Sequence, residues 1–133
     1  MAFKTLKQKI FFKNSPHELY EMIMDEKKHS KITKSEAKVS REEGGEFSVW
    51  EGSIRGKNLT LESNKKIVQL WRNEDGEWPK DHFSRVTFEF DEDGGGTMLN
   101  FTHEGIPDND FESVKDGWRD FYWDQMDGEV KKI

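Results

Sequence analysis

Hydrophobic spacing changes twice along the chain, and each change marks a different kind of element. From Phe3 to Lys13 the alternation is loose, with Phe3, Lys7 and Lys9 sharing parity with Phe11. This predicts an opening strand whose lysines lie on a wet face. Ser15-Pro16-His17-Glu18 then supplies an N-cap, a proline at the first helical position and a capping-box glutamate, a firm helix start. Leu19, Tyr20, Met22 and Ile23 form its apolar side, and Asp25-Glu26-Lys27-Lys28 interrupts it before a short helical turn around His29 to Ile32. A pair of short helices is expected, not one long one.

From Ser35 to His103 the period becomes two. Strands are predicted over residues 36–41, 46–55, 58–62, 65–73, 83–91 and 97–103, separated by Gly44-Gly45, Gly56, Asp75-Gly76 and Gly94-Gly95-Gly96. Sequential strands with short turns make an antiparallel meander. Ser84, Val86, Phe88 and Phe90 share one parity and Arg85, Thr87 and Glu89 the other, so one face of the sheet is dry and needs a cover.

The cover is the segment Asp110 to about Asp127. Phe111, Val114, Trp118, Phe121, Tyr122, Gln125 and Met126 fall within about 140° of arc at ~100° per residue. Such a helix would run about 27 Å. Together these elements predict an α+β fold: a curved antiparallel sheet wrapped around a long C-terminal helix, with two short helices after the first strand.

Composition sets bounds on this picture. At 133 residues the chain is expected to form a single domain over 1–133, burying roughly 68% of its extended surface. Its hydrophobic fraction is only 32%, so bulk must come from 10 Phe, 5 Trp and 2 Tyr, which place large areas on few positions. The absence of cysteine excludes disulfides, thiolate metal sites and cysteine nucleophiles, and suits a reducing, cytoplasmic setting. No apolar run resembles a signal peptide or a membrane span. The net charge of −6 divides unevenly: residues 1–40 carry 9 basic and 5 acidic groups, the remainder 12 and 22. An acidic bulk argues against nucleic acid as partner, while a dipolar surface suits steering toward a charged protein.

Candidate chemistry is sparse. His17, His29, His82 and His103 show no helical i, i+4 pairing, so no metal site is expected. No nucleophile elbow, phosphate loop or dinucleotide fingerprint occurs, so neither a cofactor nor a set of catalytic residues is assigned. His103 shares parity with Leu99 and Phe101; its imidazole either orients a ligand or satisfies a strand neighbour. Glu51 shares parity with Phe47 and Val49, and either faces the interior or marks a bulge before Gly52. Gly117 in mid-helix costs about 1 kcal/mol relative to alanine, which suggests close approach of the sheet or space for a ligand. Trp78-Pro79 fixes a loop in which the Trp is either a lid or an exposed anchor.

The run Gly44-Gly45-Glu46-Phe47, Gly52-Ser53-Ile54-Arg55-Gly56, Ile67-Val68-Gln69-Leu70-Trp71-Arg72, Trp78-Pro79 with His82 and Ser84, Gly96-Thr97, Phe101-Thr102-His103, Ile106-Pro107 and Gly117-Trp118 resembles the C-terminal domain of the activators of the Hsp90 ATPase, within the START-like helix-grip superfamily. The resemblance spans about residues 15 to 127. It implies an apolar cavity between helix and sheet, used by various members for ligands, catalysis or chaperone docking. The Asn-x-Trp-His-Trp segment of the two-domain activators is not found in this sequence. Three readings follow. The first is non-enzymatic docking to an Hsp90-type chaperone or another protein, with Trp78, Arg72 and Arg85 as contacts and the basic N-terminal part facing an acidic partner. The second is a carrier of a small hydrophobic ligand lined by Trp71, Phe88, Phe101, Trp118, Tyr122 and Met126, with His103 or Glu51 as the polar group. The third is an enzyme of the cyclase or hydrolase type, for which no nucleophile–base pair is visible.

Overall fold

Ser15 starts the first helix as its sequence predicts: its hydroxyl accepts from the Glu18 amide at 3.2 Å, and its own amide donates to the Glu18 carboxylate at 2.9 Å. Asp25 repeats the device for the second helix, accepting from the Lys28 amide at 3.0 Å. A side-chain cap of this kind contributes about 1 kcal/mol. In the computed structural model, which describes residues 2–131, the order is β1 (Phe3–Phe12), α1 (Pro16–Met24), α2 (Glu26–Thr33), β2 (Ala37–Val39), β3 (Glu46–Val49), β4 (Ile54–Glu62), β5 (Lys66–Asn73), β6 (Ser84–Asp93), β7 (Gly96–Pro107), α3 (Phe111–Trp118) and β8 (Glu129–Lys131). The strands form one antiparallel sheet in the order β2-β3-β4-β5-β6-β7-β1-β8. The α+β helix-grip arrangement expected from the sequence is present.

Alternation decides which face is covered. In β6 Ser84, Val86, Phe88 and Phe90 are buried while Arg85 and Glu89 are exposed; in β1 Leu6, Ile10 and Phe12 are buried while Lys7 and Lys9 face solvent. Register carries this across the sheet, setting Phe88 opposite Phe101 and Ile10 opposite Leu99.

Two boundaries differ from the sequence reading. The predicted strand 46–55 is broken into β3 and β4 by a turn in which Trp50, Glu51 and Gly52 have φ of 51°, 55° and 90°; the Ser53 amide closes it on the Trp50 carbonyl at 3.0 Å. Gly56, expected to separate strands, lies inside β4 instead. A Cβ there would sit 1.8 Å from the Leu70 carbonyl oxygen, so the glycine serves close strand approach and not reversal. The short β8, paired with β1, was not foreseen by the periodicity.

The C-terminal helical segment is not a uniform α-helix. Asp108–Asp110 form a 3₁₀ turn, α3 follows, and Arg119–Trp123 continue as a π-helical turn. The Asp124 amide reaches back five residues to the Arg119 carbonyl at 2.8 Å. That one-residue widening changes which side chains face inward. Trp123 comes to lie over Trp118, ring centroids 5.7 Å apart and 17° from parallel, and is fully buried, while Phe121 is 48% exposed. Among the described residues no helix is long and apolar enough to cross a membrane.

Candidate functional site

The space between the helical segment and the sheet is filled by rings. Trp118 packs with centroids 4.7 Å from Phe101, 5.8 Å from Trp71, 5.9 Å from Phe88 and 4.7 Å from Tyr122. Phe88, Phe101, His103 and Met126, expected to line a cavity, are buried core residues that line no open space in the groove beside α3. The cause is aromatic bulk: the rings of Trp118 and Trp123 occupy the space under the helical segment beside Phe101, which leaves open volume only at one side of it.

Two buried histidines tie the layers together. The Trp118 indole N–H donates to His103 Nδ1 at 3.0 Å. His103 therefore carries its proton on Nε2 and donates to Ser84 Oγ at 2.7 Å, and that hydroxyl donates to the Trp71 carbonyl at 3.0 Å. Burial pushes the His103 imidazole down to about 3, so it is neutral and both ring nitrogens are occupied. Its role is the strand-satisfying one. His29 forms the second link: Nδ1–H donates to the Ile23 carbonyl at 2.8 Å, and Nε2 accepts from the Tyr122 hydroxyl at 2.7 Å. Burial lowers the His29 pKa and raises that of Tyr122. Sequence reasoning had no means of joining positions 29 and 122, which are separated by 93 residues.

The loop after β5 closes one end of the molecule. The Trp78 indole donates to Asp110 at 2.7 Å, Asn73 donates to the same oxygen at 3.0 Å, and the ring lies 5.8 Å from Trp71. Trp78 is only 7% exposed; it is a lid over Trp71 and not an outward anchor. Arg72 is likewise engaged, donating to the carbonyls of Pro79 at 2.8 Å and His82 at 2.9 Å and pairing with Glu74. Of the three expected contact residues, only Arg85 presents its side chain to solvent. Both of the others hold the loop: Arg72 supplies donors that its Pro79 and His82 carbonyls need, and Trp78 ties it to the Asp110 carboxylate.

A groove of about 340 Å³ remains between the β3–β4 turn, the end of β5 and the helix face; it is lined by Trp71, Trp118 and Tyr122 together with Trp50, Ile54, Gly117 and Phe121. Glu51 does not line it: with φ of 55° it turns outward and is exposed, because the turn reverses the parity that would have pointed it inward. A Cβ on Gly117 would meet only Phe121 Cδ2, at 3.9 Å. This glycine therefore keeps the groove open and does not serve close packing on the sheet. The missed lining residues, Trp50 and Phe121, were hidden by the turn and by the π-helical widening.

A second surface lies on the opposite helices. Lys28, Lys31 and Lys34, with one carboxylate, Glu18, surround the partly buried Met22 and Ile32 in a depression of about 540 Å³. None of the three forms an ion pair among the described residues. Its sequence signal is the basic excess of residues 1–40. Among the described residues no three His, Asp or Glu side chains converge where a metal could be held.

Comparison with known proteins places this geometry. The family model described as activator of Hsp90 ATPase homolog 1-like protein matches residues 13–131. The activator of 90 kDa heat shock protein ATPase homolog of Dictyostelium discoideum is 40% identical over 117 residues, covering 87% of this chain and 30% of that protein. The human activator of 90 kDa heat shock protein ATPase homolog 1 is 32% identical over 113 residues, covering 85% and 33%. The chain thus spans about a third of the length of these curated relatives. Among solved structures, an HSP90 activator from Plasmodium falciparum superposes with a TM-score of 0.80 at 26% identity, covering 98% of this chain and all of that one.

Proposed function

The chain belongs to the activator of Hsp90 ATPase homolog 1-like family, and on that premise we propose that it is a non-enzymatic docking domain for an Hsp90-type chaperone. The observation that carries the reading is the lysine surface of α2. Lys28, Lys31 and Lys34 lie exposed around Met22 and Ile32 with no internal partner among the described residues, in a chain whose net charge is −6. Three lysines against the single carboxylate of Glu18 in the same depression leave this surface net positive, and such a surface steers toward an acidic partner and discriminates against basic ones. The apolar pair beneath it adds the contact area that charge alone does not provide. The interior supports the same reading, because His29, His103 and Tyr122 are committed to hydrogen bonds that fix the fold.

Isothermal titration of the protein into Hsp90 from its own source, with ATP turnover followed in parallel, tests the proposal. Binding should weaken with added salt and fall at least tenfold in the charge reversal Lys28→Glu/Lys31→Glu, two exposed positions, with circular dichroism showing that α2 is retained. Absence of both binding and any change in turnover would refute it.

A further inference from the structure

The groove beside the C-terminal segment takes no part in the lysine docking surface; the two share no residue. Its walls are Trp50, Ile54, Trp71, Val114, Trp118 and Phe121, and one end is polar, with Ser53, Asn73 and Asp75. Trp50 is held there at a φ of 51°, a left-handed conformation uncommon for a bulky residue and one that the surrounding structure must stabilise. Its ring meets Phe121 edge-on at 5.2 Å, and Phe121 is 48% exposed. Two aromatic rings thus stand at the mouth of an unfilled groove whose floor is Gly117.

The electrostatics of the mouth have a definite sign. The neighbouring guanidinium groups are already bound: Arg55 and Arg72 to Glu74, Arg119 to Asp116 and Asp120. Asp75 at the polar end and Glu51 beside Trp50 form no ion pair among the described residues. Arg55 and Arg72 share one carboxylate, so the three guanidinium groups stand against the five carboxylates of Glu51, Glu74, Asp75, Asp116 and Asp120; the net charge is negative, next to ring faces that also attract cations. A volume of about 340 Å³ lies at the small end of binding pockets, about 300–1,000 Å³, and suits one or two side chains.

We propose that this groove docks a short segment of a partner protein that presents an apolar side chain next to a lysine or arginine. The apolar group enters between Trp50, Phe121 and Trp118 above Gly117, and the cation faces Asp75, with exposed Glu51 adding negative charge from outside the groove. This is a second docking site, of opposite charge preference to the α2 surface.

The test uses two synthetic nine-residue peptides with the same Leu-Phe centre, one flanked by lysine and arginine, the other by glutamate, titrated into ¹⁵N-labelled protein. The basic peptide should move the Trp50 indole and Gly117 amide resonances and bind about tenfold more tightly than the acidic one, roughly 1.4 kcal/mol. In the exposed double variant Glu51→Gln/Asp75→Asn most of that preference should vanish. Equal affinities for the two peptides, or unmoved Trp50 and Gly117 resonances, would overturn the proposal. So would identical shifts produced by benzyltrimethylammonium at the same concentration, which would mark a small-cation site. The Lys28→Glu/Lys31→Glu protein must keep full affinity for the basic peptide, so failure of the chaperone reading and failure of this one are separable.

Discussion

Acidification from pH 7.5 to 5.0 should destabilise the protein through His103 well before its carboxylates titrate. Above 6.5, the ordinary value, the imidazole is neutral in the folded and the unfolded chain alike. Below it, the unfolded chain takes up a proton that the folded chain refuses, because burial holds the folded value at about 3. Stability contributed by the neutral imidazole is thus fully present above pH 6.5 and is lost as pH falls toward 3, at about 1.4 kcal/mol per unit. The 1.5 units from 6.5 to 5.0 amount to about 2 kcal/mol, a large share of the 5–15 kcal/mol typical of a domain. His29 is shifted in the same direction by burial and adds to the slope. Urea unfolding followed by tryptophan fluorescence at pH 7.5, 6.5 and 5.0 measures it. His103→Gln, which cannot take up this proton, should be less stable at pH 7.5 but lose about 2 kcal/mol less between 6.5 and 5.0. A variant with the wild-type slope would refute the reasoning. So would an imidazole resonance of His103 that titrates between pH 7 and 5 in the unmodified folded protein.

Three further outcomes are expected. Gly117→Ala should raise stability by up to about 1 kcal/mol in thermal unfolding, since the added methyl group meets only Phe121 and helix propensity improves. Gly56→Ala should do the reverse, costing about 3 kcal/mol or more and giving little folded protein, because the Leu70 carbonyl occupies the space. Asp110→Ala leaves the Trp78 indole and the Asn73 amide without their acceptor, a loss of about 1–3 kcal/mol. It should make the 74–83 loop the first site of cleavage in limited proteolysis.

The elements legible in the sequence were those fixed by local chemistry. The capping box at Ser15 and Glu18, the alternation of Ser84, Val86, Phe88 and Phe90, and the lysine-bearing face of β1 all follow from positions within a few residues of one another. What escaped depends on contacts distant in sequence or on departures from ideal periods. A 100° wheel placed Phe121 inward and passed over Trp123, because a single π-helical turn reverses the two. Parity pointed Glu51 inward until the left-handed turn at Trp50 interrupted it. Trp78 could be read as lid or anchor until its indole found Asp110, 32 residues away. The apolar cavity implied by family resemblance is an extrapolation from fold; here rings occupy its Phe88, Phe101 and His103 side, and the open space is the groove beside Trp50, Trp71 and Gly117.

The pairing of β1 with β7 has a consequence for synthesis. Its partners lie 85 to 104 residues downstream, from Phe12 with Thr97 to Phe3 with Pro107, and β8, on its other edge, emerges later still. While the ribosome is translating the meander, β1 waits with Leu6, Ile10 and Phe12 bare and both edges open, as strands joined by long-range pairing must. Its exposed lysines suit that interval, since charged side chains along an unpaired strand oppose its pairing with other chains before β7 arrives.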